Sequence, residues 1–150
     1  MKKTLLILSC ILSFTCIVIS CSKDKDDDNT TKSPEEILTG STWRLDEIRF
    51  LQNNTPYYYK RGQTGDVLGF DTESIKFNAD KSGTYKSGNT YNLSWDFVDA
   101  TKTKIRYVVN YPTPLTVNWE NIKYSETSLE YTEYYNKTGT QSLAAARRIQ

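Results

Sequence analysis

The chain has 150 residues and a formal charge of +1, which allows one domain once processing is taken into account. Without residues 1–20, which carry Lys2 and Lys3, 17 basic residues face 18 acidic ones, so no basic stripe remains to track a phosphate backbone and nucleic-acid partners are excluded. There is no His, and the three Cys are Cys10, Cys16 and Cys21; the part able to fold therefore has no disulfide, no thiol nucleophile and no His/Cys metal centre.

Met1-Lys2-Lys3 is a short positive start, and Leu5 to Ile19 is almost wholly apolar. That is the layout of a secretory signal peptide, with an apolar run of about 15 residues that is short for a spanning helix. Val18-Ile19-Ser20-Cys21 then places a small residue directly before a cysteine. It resembles the lipobox of bacterial lipoproteins, which implies a signal peptide over 1–20 and Cys21 as the lipidated mature N-terminus, carrying acyl chains such as palmitate. More than one chain is needed to hold a domain firmly at a membrane.

Residues 21–33 contain no apolar side chain after the cysteine and are expected to form a flexible tether. The acidic run Asp24 to Asp28 resembles the signal that sends some Gram-negative lipoproteins to the outer-membrane surface. Asp24, Asp26 and Asp28 with Glu35 mimic the spacing of a calcium loop, but Asn29 stands where Gly is required, and no metal is expected. Ser33-Pro34-Glu35-Glu36 reads as a capped helix start that ends at Gly40.

From Thr42 the pattern is that of strands. Trp43 and Leu45 share one face, and a slip of phase before Ile48 predicts a β-bulge. Residues 52–70, broken by Pro56, Gly62 and Gly65, read as a long irregular segment with Tyr57-Tyr58-Tyr59-Lys60-Arg61 within it. Ile75 and Phe77 begin a hairpin whose turn ends at Gly83. Tyr91, Leu93, Trp95 and Phe97 give the cleanest alternation, followed by Ile105, Tyr107 and Val109, closed by Pro112 and Pro114. Leu115, Val117 and Trp119 follow, and Ile122 and Tyr124 resume on a shifted phase that predicts a second bulge. Leu129, Tyr131 and Glu133 then alternate. Residues 142–149 are rich in Ala and Arg, which favour helix; their place in the series argues instead for a last strand that covers an open edge. About eight strands with tight turns predict an all-β antiparallel meander over 34–150, an up-and-down barrel or a sandwich, and turns mostly too short for Greek-key crossovers favour the barrel.

Gly40 to Trp43, the Ile75–Tyr85 hairpin, the Trp95-Asp96-Phe97 strand and the Ser128-Leu129-Glu130-Tyr131 strand together resemble the bacterial lipocalin-like domain, over residues 36–150. Gly40 and Trp43 are separated by two residues where that family usually has one. The resemblance implies a barrel with an interior ligand site and a late Arg stacked on the Trp, a place Arg147 or Arg148 could take.

The expected function is that of an outer-membrane lipoprotein, anchored through its N-terminal lipid, facing the cell surface, monomeric and without cofactor. The inward aromatics Trp43, Phe77, Tyr91, Trp95, Tyr107, Trp119 and Tyr131 are the candidate lining for a small apolar or amphipathic ligand, since an eight-stranded barrel either fills itself or holds one such molecule. The alternative is an accessory protein with a filled barrel that binds a glycan or protein through Tyr57, Tyr58, Tyr59 and Arg61. No enzyme is expected: nucleophile–His sets are impossible, and the carboxylates Asp96, Glu120, Glu130 and Glu133 fall mostly on the face opposite the apolar residues.

Overall fold

A computed structural model of the protein describes residues 32–52, 55–63, 69–137 and 140–150. The proposed signal peptide, Cys21 and all of the tether but its last two residues lie outside them. Helix α1 (Pro34–Gly40) starts with the expected capping box: the Glu36 amide donates to Ser33 Oγ, and the Ser33 amide donates to the Glu36 carboxylate. Strands follow as β1 (Thr42–Gln52), β2 (Thr55–Lys60), β3 (Ser74–Phe77), β4 (Ser82–Ser87), β5 (Asn89–Phe97), β6 (Ile105–Val109), β7 (Leu115–Tyr124), β8 (Ser128–Lys137) and β9 (Thr140–Ile149).

Each strand from β3 to β9 pairs antiparallel with the next, β3 also pairs with β1, and β9 returns to β1. This closes an eight-stranded up-and-down barrel, and closure removes the exposed edges. The Ala- and Arg-rich end is the closing strand. Its Ala144 and Ala146 are buried while Ala145 is exposed, so alternation across a sheet overrides a helical composition. The irregular segment expected over 52–70 contains one further strand: β2 pairs with the far half of β1, from Glu47↔Lys60 to Gln52↔Thr55. Residues 53–54 and 64–68 lie outside the described ones.

Both bulges are present. Between β1 and β9 the register skips Asp46. The slip restores Ile48 to the inner face after Leu45 and leaves Asp46 buried between Lys60 (2.7 Å) and Arg147 (2.8 Å from Nε). Burial works against the charge of Asp46, but these two cations outweigh it and hold the carboxyl below its usual range. In β7, Asn121 and Ile122 together face the single residue Tyr131, with Asn121 at φ 55°.

The helix covers one end of the barrel. Leu38 is fully buried, the Trp43 indole donates to its carbonyl (2.8 Å), and Lys76 donates to the Thr39 carbonyl (2.8 Å). Glu35, the last member of the calcium-like spacing, accepts from Lys81 (2.6 Å) and Lys102 (2.9 Å) instead. Above the helix, Phe77 meets Trp95, Tyr107 and Trp119 edge-on at centroid distances of 5.4, 5.9 and 5.5 Å. Aromatic rings in this geometry gain attraction beyond the area they bury.

Gly83 lets β4 pass close to its neighbours in this tight end. A Cβ there would stand 2.2 Å from the Lys76 carbonyl oxygen and 2.8 Å from Leu93 Cδ1. Gly83→Ala is expected to destabilise the barrel by about 1–3 kcal/mol, as overpacking does, read as a lower urea midpoint at unchanged m-value. A Gly40→Ala control, where nothing lies within 4 Å, should not show that loss.

Candidate functional site

The barrel is filled at the helix end and hollow at the other. A cavity of about 800 Å³ occupies the open half, within the range of small-molecule sites. Its apolar wall is built from successive inward positions: Leu45, Ile48 and Phe50 of β1, Val109 of β6, Val117 of β7 and Ala144 of β9. Ala144 contributes only a methyl group to this wall. Phe70, Tyr111 and the exposed Pro112-Thr113-Pro114 turn also line it.

At the boundary between the filled and hollow halves lies a polar floor. Arg148 is 2% exposed. Its guanidinium pairs with Glu73, its Nε donates to the Tyr131 hydroxyl (2.7 Å), and its Cζ lies 5.4 Å from the centroid of Trp119. Glu133 accepts from Trp119 Nε1 (2.7 Å) and from the Tyr107 hydroxyl. Arg148, Glu73, Glu133, Tyr107 and Tyr85 all border the cavity. Burial works against the charge of Arg148, but the Tyr131 hydroxyl that accepts from its Nε and the Glu73 carboxylate paired with it hold its pKa above the usual value. Burial also pushes the Tyr85, Tyr107 and Tyr131 hydroxyls up, so these tyrosines stay neutral.

Burial raises the Glu133 carboxyl above its ordinary 4.5, against the pull of Arg148; Glu73 adds to the rise, and the Trp119 and Tyr107 hydrogen bonds oppose it. Above pH 4.5 the folded chain therefore holds a proton that the unfolded chain has released. Stability falls as pH rises from there and levels off once the folded carboxyl has ionised. Glu133→Gln should remove this slope, seen as a flatter profile of urea midpoint against pH than in the parent protein.

The predicted aromatic lining divides between the two halves. Trp43, Phe77, Trp95, Trp119 and Tyr131 belong to the packed half, with Trp119 stacked on Tyr131 at 3.9 Å. Tyr107 borders the cavity. Tyr91 is half-buried and packs on Tyr111 with centroids 4.4 Å apart, and Tyr111 also meets Tyr85 edge-on. Arg148, one of the two Arg considered for stacking on Trp43, lies over Trp119, and Arg147 turns to Asp46.

The tyrosine segment is largely absorbed into the fold. Tyr57 stacks on Phe50 (5.2 Å), and Tyr59 is buried with its hydroxyl on Asp71 (2.7 Å). Arg61 donates to the carbonyls of Leu45, Phe70 and Asp71. Tyr58 alone of the three is exposed, beside Arg49 and near exposed Leu51 on the β1–β2 hairpin. Among the carboxylates, Asp96 and Glu130 are exposed and Glu120 pairs with Lys104 (3.4 Å). Glu133 alone of the four turns into the cavity, as its alternation with Leu129 and Tyr131 indicates. Sequence reasoning gave no role to Glu73 and Tyr111, which lie in connections where alternation fades, or to Tyr85, which lies inside the short strand β4.

Comparison of the chain with protein-family models, with curated proteins and with solved structures gives no match.

Proposed function

We propose that the chain is a lipid-anchored outer-membrane lipoprotein whose lipocalin-like barrel holds one small amphipathic molecule in its hollow half. The observation that carries the reading is the cavity of about 800 Å³, apolar along its wall and polar at its floor, the usual composition of a small-molecule site. Catalysis is a poorer fit. Glu73 is held by Arg148, and Glu133 by Trp119 and Tyr107, so both cavity carboxyls are engaged with the protein rather than presented to a substrate. The alternative, loop-mediated contact with a glycan or protein, loses support because Tyr57, Tyr59 and Arg61 are tied into the barrel wall.

The anchoring part of the proposal rests on the lipobox-like residues before Cys21 and the acidic run after it. Cys21→Ala should move the protein from the membrane fraction to the soluble one, because the acyl chains carry the attachment. The binding part is tested with a neutral naphthylamine dye that fluoresces in apolar surroundings. One saturable site is expected in the parent protein. Val117→Trp, which places an indole in the cavity, should abolish it while the fold, read by circular dichroism, persists. Absence of saturable binding, or binding indifferent to Val117→Trp, would sink the cavity reading.

A further inference from the structure

We propose that the ligand of this cavity is an amphiphile with a singly charged carboxylate head, received at the floor by the guanidinium of Arg148. The inference rests on the cavity being a binding site and names the chemistry that it selects.

Arg148 uses Nη2 for Glu73 and Nε for Tyr131, and its Nη1 is buried without a hydrogen-bond partner among the described residues. A buried guanidinium donor left unsatisfied is costly, and buried polar groups are normally paired. Arg148 also borders the cavity, with Tyr107 and Glu133 beside it. Nη1 itself is covered, so an acceptor arriving through the cavity completes the set when the guanidinium turns this donor to the cavity surface. Guanidinium groups make their strongest hydrogen bonds to oxyanions such as carboxylates and phosphates. Here a carboxylate fits better than a phosphate: Glu73 already pairs with the Arg148 charge, so each charge on the head adds to the desolvation cost, and a carboxylate brings one where a doubly charged phosphate brings two. The apolar remainder of the ligand would lie along Leu45, Val109 and Val117 towards the mouth.

Glu133 sets the pH range. The groups around it are Tyr85 from β4, Tyr107 from β6, Trp119 from β7, Arg148 from β9, Glu73 from the segment before β3 and Tyr131 from its own strand. Of these, Arg148 and Glu73 are already paired. While Glu133 holds its proton it adds no charge at the floor; once ionised it repels the incoming carboxylate.

The test is displacement of the neutral naphthylamine dye from the full protein by dodecanoate, dodecanol and dodecylamine, which share one chain and differ in the head. Dodecanoate should compete at least about tenfold better than dodecanol, as expected for a hydrogen bond to a charged partner. Its advantage should shrink as pH rises through the titration of Glu133 and persist in Glu133→Gln. Arg148→Gln alone would strand the Glu73 charge, so the variant to use is Arg148→Gln with Glu73→Gln, which keeps size and removes both charges. The readout is the ratio of the two competitors within the variant: dodecanoate should compete no better than dodecanol there, so the preference for the acid is lost. Dodecanol and dodecanoate competing equally, dodecylamine competing best, or an acid preference that survives the double variant would each overturn the proposal while leaving the cavity reading intact. Failure of the dye and all three competitors to bind would overturn both.

Discussion

Glu73→Ala is expected to cost about 3–5 kcal/mol of stability, because it leaves the Arg148 charge buried and uncompensated. Arg148 is 2% exposed and Glu73 5%, so water does not replace the lost carboxylate. Against a total of roughly 5–15 kcal/mol for a domain, such a loss brings the protein close to unfolding at ambient temperature. The measurement is a urea titration of the parent, Glu73→Ala, and Glu73→Ala with Arg148→Met. The double variant should be more stable than the single one, since the penalty belongs to the stranded charge rather than to the loss of a favourable pair. A single variant within about 1 kcal/mol of the parent, below the range for broken buried pairs, would mean that the guanidinium reaches water.

Trp119→Ala should be comparably damaging, at about 3–5 kcal/mol, the usual range for removing a core Trp. Trp119 is fully buried, stacks on Tyr131, and meets Phe77 and Tyr107 edge-on. Its indole also supplies one of the Glu133 hydrogen bonds, so the variant both opens a cavity and unties part of the polar floor. Trp119→Phe keeps a ring in the stack and should recover part of the loss. Chemical denaturation of the three proteins checks the order, parent above Phe above Ala.

Much of the barrel was legible in the sequence because strand alternation is a local property. Tyr91, Leu93, Trp95 and Phe97 announce β5, and the slips of phase at Leu45–Ile48 and Trp119–Ile122 announce both bulges. The closing strand was readable only from its place in the series, since Ala and Arg by themselves favour helix. Strand β2 was hidden because Tyr57-Tyr58-Tyr59 has no alternation of polarity. Of its three rings, only that of Tyr58 remains exposed. The interior was legible as a set of aromatics but not as a shape. Whether Trp43, Phe77, Trp95 and Trp119 fill a barrel depends on where along each strand they fall, and they cluster at the helix end. The hollow half comes from small or polar residues, Ala144, Glu73 and Glu133, which carry little hydrophobic signal. Arg148 could be suspected as a stacking residue, but its buried pairing with Glu73, 75 positions away in the chain, is a product of closure.

The most direct test of the hollow half is to locate the bound dye by methyl chemical-shift changes on titration. Saturable shifts are expected at Leu45, Ile48, Val109, Leu115, Val117 and Ala144, with Leu38, Ile75, Ile105 and Leu129 of the packed half almost unmoved. Shifts confined to the exposed Leu51 of the β1–β2 hairpin, or no shifts at saturating dye, would contradict this expectation and return attention to the outer surface.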